Sequence, residues 1–337
     1  MSGVQVKEIT YGSFGKCVQI SNGSAEVVVT VGFGPRIIRY ATPGKENMLC
    51  EAFDCKPEDN GWKNYGGHRL WHSPEVMPRT YELENSLVAW EKIENGVRFT
   101  QTKEPWTHMA KEIEITMDEE DTQVYLLHRI TNQGAWAAEF AIWAVTVMAA
   151  GGLGVVPMPR RDAGYLSNRA LGLWSYSKMN DPRVFWGENF IALQQDAKAI
   201  GNFKFGINNE LGWGAYFNKG QVFLKHHLHD PDETYPDGGM SYESYTNDFM
   251  LEMESLSPMT KVEPGDCLEH EEIWEIVDNV EPPKICDCCI EETISGFFPE
   301  WSFNPMECGC GCCGHDDCDS ECDCSHDDCD CGCDHKD

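Results

Sequence analysis

The sequence is poor in positive charge: 26 Lys and Arg residues stand against 56 Asp and Glu, and the formal net charge is −30. Nucleic acids and anionic membranes both attract basic surfaces, so this imbalance argues against either one as a partner. Neutral ligands and cations stay compatible with the charge. We therefore expect the partners to be small molecules or metal ions, with no nucleic acid and no membrane among them.

Long apolar runs and targeting signals are also missing. The longest apolar stretch, residues 140–156, is interrupted by Thr146 and several glycines and is too short to cross a bilayer. Residues 1–9 show neither a basic n-region nor an apolar h-region, so we expect no secretory signal. These absences predict a cytoplasmic protein, in which the 17 cysteines are thiols or metal ligands rather than disulfides.

Two catalytic motifs and a helical pattern are absent as well. The chain contains no Gly-x-x-x-x-Gly-Lys nucleotide loop and no Gly-x-Ser-x-Gly elbow, which argues against phosphoryl transfer and serine hydrolase chemistry. No segment carries a helical period of useful length. Residues 167–178 and 194–199 are the best candidates for short helices or loops.

What the body does contain is a succession of short β runs. Stretches rich in Val, Ile, Phe, Tyr and Trp recur between Gly, Asn, Asp and Pro. Asn95-Gly96 and Asn218-Lys219-Gly220 each separate two such runs, as tight hairpin turns do. Residues 112–117 alternate strictly, which indicates one buried and one solvated face. Consecutive β runs without helices predict an all-β antiparallel sandwich or barrel, with residues 1–280 forming one domain.

The composition changes at Glu281-Pro282-Pro283, after the last strand-like run. We predict that residues 281–307 form a linker that packs partly on the body through its aromatic side chains. Residues 308–337 hold no large apolar side chain and cannot build a core, so we expect this tail to be disordered without a ligand.

The tail carries a dense series of cysteines with aspartates and histidines between them. Thiolates spaced one to five residues apart can wrap a soft cation such as zinc or cuprous copper, and the aspartates concentrate cations nearby. Repeated Cys-x-Cys resembles metallothionein-type clusters in kind. The alternative is a solvated low-complexity tail with incidental thiols. The predicted metal ligands are Cys308, Cys310, Cys312, Cys313, Cys318, Cys322, Cys324, Cys329, Cys331 and Cys333, and no cofactor is predicted for the body.

The densest group of functional side chains in the body lies at residues 62–75. Paired glycines let a backbone approach a ligand closely, two histidines can move protons near neutral pH, an arginine can grip hydroxyls, and tryptophans can stack on sugar rings. The alternative is a core role, with an internal ion pair and a bulge. The residues concerned are Trp62, Gly66, Gly67, His68, Arg69, Trp71, His72 and Glu75.

This segment resembles a known family. Residues 66–75 are similar to the glycine-pair segment of galactose-mutarotase-like proteins, in particular those of a bacterial branch. Residues 34–40 and 47–49 resemble the opening strands of that superfamily, where Gly-x-Arg-Ile precedes Asn-x-Leu. Residues 251–258, with the Pro-Gly turn at 264–266, resemble its late Glu-bearing strand. The resemblance covers most of the body diffusely.

The resemblance implies a large twisted β-sandwich whose concave sheet binds a sugar, with aldose 1-epimerase-like chemistry if it is active. There a glutamate takes the proton from the anomeric hydroxyl and a histidine protonates the ring oxygen. Glu254, or its same-face neighbour Glu252, matches the family base, and His68 or His72 is the nearest acid. The strand that carries the family's histidine offers Trp143 instead, which can stack on a sugar but cannot protonate it.

Further contacts to the sugar are expected outside these motifs. Lys225 lies on one face of an extended segment with His227 and His229, a possible anion or metal site or simply a strand end. Asp237 stands in a turn-rich loop and can hydrogen-bond sugar hydroxyls or serve the turn alone. The predicted substrate-binding residues are therefore Arg69, Trp71, His72, Glu75, Trp143, Lys225 and Asp237.

Four functions stay open at this stage. The first is a sugar isomerase that uses Glu254 or Glu252 with His68. The second is a sugar-binding protein without catalysis. The third is an enzyme that cleaves glycosides or uronates with Glu75 and Glu254. The fourth is a metal-binding protein that acts through its tail.

Overall fold

The computed structural model describes residues 3–298, and nearly all of the regular structure there is β-strand. The chain divides into two compact units, Met1–Pro282 and Pro283–Asp337, and all 22 strands of the described residues lie in the first. The first eleven are β1 (Gln5–Tyr11), β2 (Gly15–Ser21), β3 (Glu26–Thr30), β4 (Ile37–Ala41), β5 (Glu51–Ala52), β6 (Tyr65–Ser73), β7 (Ala89–Ile93), β8 (Gly96–Thr100), β9 (Met109–Met117), β10 (Val124–Asn132) and β11 (Ala138–Met148). The others are β12 (Leu153–Pro157), β13 (Leu171–Leu173), β14 (Val184–Trp186), β15 (Phe190–Gln194), β16 (Phe203–Ile207), β17 (Trp213–Asn218), β18 (Gln221–His227), β19 (Tyr242–Thr246), β20 (Leu251–Leu256), β21 (Thr260–Val262) and β22 (Cys267–Asp278).

Among residues 3–298, helical structure is confined to short pieces. A 3₁₀ turn covers Gly12–Phe14, α1 is a four-residue turn at Pro236–Gly239, and α2 covers Asp287–Ser295 in the second unit. Helix α2 falls within the segment predicted as a linker. The predicted metal-binding tail, with its ten cysteines, lies outside the described residues. Within residues 3–298, no helix has the length and apolarity that a bilayer span requires.

The strands form two large antiparallel sheets. Sheet 1 has the order β1-β2-β3-β4-β6-β11-β20-β19-β16-β13, with β5 paired to β6 and β21 paired to β11. Sheet 2 has the order β14-β15-β12-β17-β18-β22-β10-β9-β8-β7. The prediction of an all-β antiparallel sandwich is confirmed.

Both predicted hairpins are present. Asn95 adopts a left-handed φ of 52° between β7 and β8, while Lys219 and Gly220 do so, at 56° and 70°, between β17 and β18. Strand β9 alternates between buried and half-buried side chains over its whole length, as the period of two predicted. The segments 167–178 and 194–199 contain no helix.

The core lies between the two sheets. Tyr40 of sheet 1 packs its ring 5.9 Å from that of Phe223 and 5.7 Å from that of Trp274, both of sheet 2. In β20, the side chains of Leu251 and Met253 join this core. The alternate side chains of the strand therefore point away from sheet 2. We call these two sides of sheet 1 its inner and outer faces.

A buried ion pair crosses the core. The Lys225 ammonium lies 2.8 Å from Glu272 Oε1, and both side chains are fully buried. It also donates to the backbone carbonyls of Ala144 and Met253 in sheet 1, at 3.1 and 3.0 Å. Although burial opposes it, the Lys225 charge holds the pKa of Glu272 well below its ordinary range. The pair therefore ties β18 and β22 of sheet 2 to the middle of sheet 1.

The substitution Lys225→Met tests this tie. It leaves the Glu272 carboxylate buried without its cation, so we expect the free energy of unfolding to fall by about 3–5 kcal/mol. Urea unfolding at pH 7 measures the change. The control is Lys261→Met, which removes a lysine paired with Glu263 on the surface and should leave the midpoint nearly unchanged. Equal midpoints for the two variants would contradict the assignment.

Candidate functional site

The middle of the outer face of sheet 1 carries a cluster of charged and aromatic side chains. It is built from five neighbouring strands, β6, β11, β20, β19 and β16, whose alternation turns every second residue outwards. Cross-strand register places Trp71 opposite Trp143, and Glu254 opposite Glu243. The members, each no more than 7% exposed, are Arg69, Trp71, Trp143, Lys204, Glu243, Glu252 and Glu254. We call this set the outer-face cluster.

Glu254 is held by one of its two carboxylate oxygens. Its Oε2 accepts hydrogen bonds from Trp143 Nε1 and from Lys204 Nζ, both at 2.8 Å. Its Oε1 is buried and has no hydrogen-bond partner among residues 3–298. The carboxylate is thus oriented by two donors, and Oε1 can accept a proton or a hydrogen bond from a ligand.

Lys204 joins Glu254 to a second carboxyl group. Its ammonium lies 2.6 Å from Glu243 Oε2, and Glu243 Oε1 also has no hydrogen-bond partner in the described part of the chain. Burial, reinforced by the Glu254 charge, raises the pKa of Glu243 well above its ordinary value even though Lys204 opposes the shift. The pKa of Lys204 is also raised, because its two acidic neighbours outweigh burial. The arrangement places one cation between two carboxyl groups, one of which has a raised pKa.

Arg69 forms the other charged half of the cluster. Its Nη2 donates to Glu252 Oε1 at 3.0 Å, and its guanidinium lies over the Trp71 ring, 4.1 Å from the centroid. Burial raises the pKa of Glu252 despite this partner. Arg69 Nε and Nη1 have no hydrogen-bond partner within residues 3–298 and are available as donors.

Aromatic rings surround these charges. The Trp71 and Trp143 rings meet edge to face with centroids 5.3 Å apart, and Trp62 packs 5.1 Å from Trp71. The Lys204 ammonium lies between two indoles, 4.7 Å from the Trp143 centroid and 4.6 Å from that of Trp174. Half-buried Tyr245 lies two residues after Glu243 in β19, and burial raises its pKa to about 12, which keeps its hydroxyl protonated.

The structure brings together five of the predicted site residues. Arg69, Trp71, Trp143, Glu252 and Glu254 were predicted from separate segments, and they form most of the outer-face cluster.

Two other predicted residues lie in exposed loops. Glu75 follows β6 and accepts a hydrogen bond from the Tyr81 hydroxyl, while the Tyr81 ring packs 4.9 Å from Trp71. Asp237 is exposed in α1, with a left-handed φ of 53°, and its charge contributes to the raised pKa of Glu243. Both side chains are therefore connected to the cluster through one intermediate residue or through charge.

The two histidines and Lys225 lie on the other side of sheet 1. His68 is fully buried on the inner face, because the alternation of β6 turns its neighbour Arg69 outwards. His72 is also buried, with Nε2 3.8 Å from Glu104 Oε2, and burial lowers the pKa of both histidines. The sheet itself thus separates these rings, and the interlayer Lys225, from Glu254.

The proton positions around His68 follow from its neighbours. His128 Nδ1 lies 3.0 Å from the His270 carbonyl oxygen, which only accepts, so His128 Nε2 is an acceptor. His68 Nε2, at 2.8 Å, must then donate to it, and His68 Nδ1 accepts from the Thr146 hydroxyl at 2.9 Å. Both ring nitrogens of His68 are committed to bonds inside the core.

Sequence reasoning missed Lys204 and Glu243. Each position carries a weak sequence signal, because a charged residue stands in a run of residues typical of a core. Lys204 lies between Phe203 and Phe205, and Glu243 follows Tyr242. The charged residue in each run marks an outward position. Nothing in the local sequence shows that β16 and β19 lie beside β20, so their connection to Glu254 was not accessible.

Two surface cavities lie away from the cluster. One, of about 250 Å³, is lined by residues that include His72, Arg79 and Trp106. The other, of about 380 Å³, is lined by residues that include Asp181 and Arg183. Neither is lined by a member of the outer-face cluster.

The substitution Lys204→Met tests the electrostatics of the cluster. Without the cation, the pKa of Glu243 rises further. A carboxyl group whose pKa is raised in the folded state stabilises the protein at pH values below its unfolded-state pKa, and this contribution is lost as pH rises. We therefore expect a loss of about 3–5 kcal/mol at pH 7 that shrinks as pH falls towards 5. Urea unfolding at pH 5, 6 and 7 measures it, with Lys261→Met as control. A deficit independent of pH would argue against the coupling.

Comparisons with known proteins agree with this architecture. No protein-family model matches the chain, and no curated protein matches its sequence. A galactose mutarotase-like protein from Lactobacillus casei is 10% identical, covering 77% of this chain and 100% of its own, with a TM-score of 0.51. One from Clostridium acetobutylicum is 11% identical over 82% and 99%, with a TM-score of 0.50. A TPR-domain containing protein from Parabacteroides distasonis, of which the chain spans 48%, is 11% identical over 80% of this chain, with a TM-score of 0.56. The chain therefore has the galactose mutarotase-like fold.

Proposed function

We propose that the outer-face cluster binds a carbohydrate. The observation that carries the proposal is Glu254, which is held at one oxygen by Trp143 and Lys204 while its other oxygen is buried without a partner among residues 3–298. A sugar presents hydroxyl groups and an apolar ring face together. Indole rings suit the ring face, and oriented carboxylate and guanidinium groups suit the hydroxyls.

The charge of the cluster favours a neutral sugar. Lys204 and Arg69 are its two cations, and each already contacts at least one carboxylate of the cluster. No cation of the cluster is left to neutralise a phosphate or a uronate group. We therefore propose an unmodified aldose or a neutral glycan end as the ligand, which argues against the uronate-cleaving alternative.

The proposal is tested by measuring how the wild type and Glu254→Gln bind a panel of neutral monosaccharides. Saturation-transfer NMR and calorimetry give the affinities. The variant keeps the shape of the side chain but loses a charge-assisted hydrogen bond, so we expect affinity to drop by about 1.5–3 kcal/mol, or roughly 10- to 150-fold in Kd.

The matched control for this test is Glu263→Gln, which changes an exposed glutamate paired with Lys261. It should bind like the wild type. Folded wild-type protein that binds no member of the panel, or Glu254→Gln with unchanged affinity, would sink the proposal.

A second candidate function is the interconversion of anomers at the same site. The observation that favours it is the cross-strand pair of Glu254 and Glu243, joined by Lys204 and each with one unpaired oxygen. In this scheme Glu254 takes the proton of the anomeric hydroxyl and Glu243 gives its proton to the ring oxygen as the ring C–O bond breaks. Reclosure on the other face of the carbonyl, with the two protons returned, yields the other anomer.

This scheme replaces the histidine that the family resemblance implied. His68 lies beyond the sheet, whereas Glu243, whose pKa is raised by burial, lies opposite Glu254 on the outer face and is the proton donor of the scheme. Two neighbouring carboxyl groups in different environments can divide acid and base roles between them. Trp143, which stands where the resemblance places a histidine, serves as a hydrogen-bond donor that orients Glu254.

Exchange NMR of anomeric protons tests catalysis apart from binding. We expect Glu254→Gln and Glu243→Gln each to lower the exchange rate by about 10²–10⁴-fold, because each removes one proton transfer. Glu243→Gln should retain measurable sugar binding. Wild-type protein at saturation that leaves the exchange rate at its buffer value would exclude the catalytic scheme and leave the binding proposal standing.

A further inference from the structure

Three cysteines meet where helix α2 begins. Cys286, Cys288 and Cys289 place their sulfur atoms within 4.8 Å of one another, and Cys286 Sγ lies 3.3 Å from Cys288 Sγ. None of the three forms a disulfide, and all three are half-buried, so a small ion can reach them from solvent. They belong to the second unit of the chain and to none of the features discussed above.

The start of the helix gathers these side chains. Cys286 is the N-cap residue with an extended backbone, and its sulfur accepts a hydrogen bond from the backbone N–H of Cys289 at 3.4 Å. Cys288 and Cys289 lie in the first turn, at the positive end of the helix dipole. The local fold therefore holds three potential thiolates on one short segment.

Three adjacent thiolates repel one another unless a cation lies between them. A soft cation removes this repulsion by binding the deprotonated sulfurs directly. With zinc–sulfur bonds of about 2.3 Å, sulfur atoms of a tetrahedral site stand roughly 3.8 Å apart, which the observed spacing reaches with small side-chain rotations.

We propose that Cys286, Cys288 and Cys289 form a binding site for one soft, thiolate-preferring cation of the Zn²⁺ or Cu⁺ class. The site is separate from the ten cysteines predicted as ligands at residues 308–333. Three thiolates complete a trigonal set for Cu⁺, and they leave one position of a tetrahedral Zn²⁺ site for water or another ligand. Binding releases the thiol protons, so affinity falls as pH falls.

A second compact set of potential metal ligands is not suited to binding a cation. His68, His128 and Glu272 also lie within 4.8 Å of one another. The Lys225 ammonium already lies 2.8 Å from Glu272, and His68 and His128 hydrogen-bond each other, so the ligand atoms are occupied and a cation would be repelled.

The test uses the full-length chain, with the ten tail cysteines (Cys308 to Cys333) changed to serine so that only this set can bind strongly. After reduction, loading with Zn²⁺ and dialysis, elemental analysis should find one zinc per chain. Adding Cys286→Ser, Cys288→Ser and Cys289→Ser should remove that zinc. Adding Cys267→Ser instead, at an exposed thiol elsewhere, should leave it in place.

A spectroscopic arm identifies the ligands. Co²⁺ bound to thiolates shows intense sulfur-to-metal absorption, which we expect in the tail-substituted protein and in the Cys267→Ser control but not in the triple-serine variant. Competition with a Cu⁺ chelator then decides which cation of the class binds more tightly. No retained zinc in the folded tail-substituted protein, or equal zinc in the triple-serine variant, would overturn the proposal. Circular dichroism of each variant confirms that the fold is intact.

Discussion

Strand β20 connects two buried polar clusters through neighbouring residues. Glu254 points to the outer face and bonds Lys204 and Trp143, whereas Ser255 points inwards and donates to Glu272 at 2.5 Å. The period of two in a strand makes this separation strict, since a one-residue slip would exchange the faces. The Lys225–Glu272 pair inside the sandwich ties the sheets together. The Lys204–Glu254 pair on the outer face shapes the candidate site. The geometry of the site thus depends on the register of the central strands.

The outer-face cluster is more than a set of balanced charges. Each cation contacts a carboxylate, yet one oxygen of Glu254 and one of Glu243 stay without partners among residues 3–298. Burying such atoms is costly unless something donates to them. In a chain with a net charge of −30, the cluster therefore suits a neutral polyhydroxylated ligand better than an anion. The thiolate set at α2 concerns a different class of ligand, a soft cation.

The family resemblance implied Glu254 or Glu252 as the base, and both lie in the outer-face cluster, where Glu252 pairs with Arg69. The outer-face cluster, as defined within residues 3–298, contains no histidine. Trp143 instead donates to Glu254, and Glu243 of the adjacent strand lies opposite Glu254. The outer face thus carries a carboxyl pair where the resemblance implied a glutamate and a histidine.

Local sequence determined the elements of this protein. Turn residues such as Asn95 and Gly220 marked the hairpins, and alternation placed Glu252 and Glu254 on one face, because both signals act within a few residues. Only the tertiary structure decided that His68 turns into the core, and that Lys204 lies beside Glu254, 50 residues away in the chain. Which strands become neighbours, and which face meets the other sheet, depends on burial summed over both sheets. No single segment contains that information.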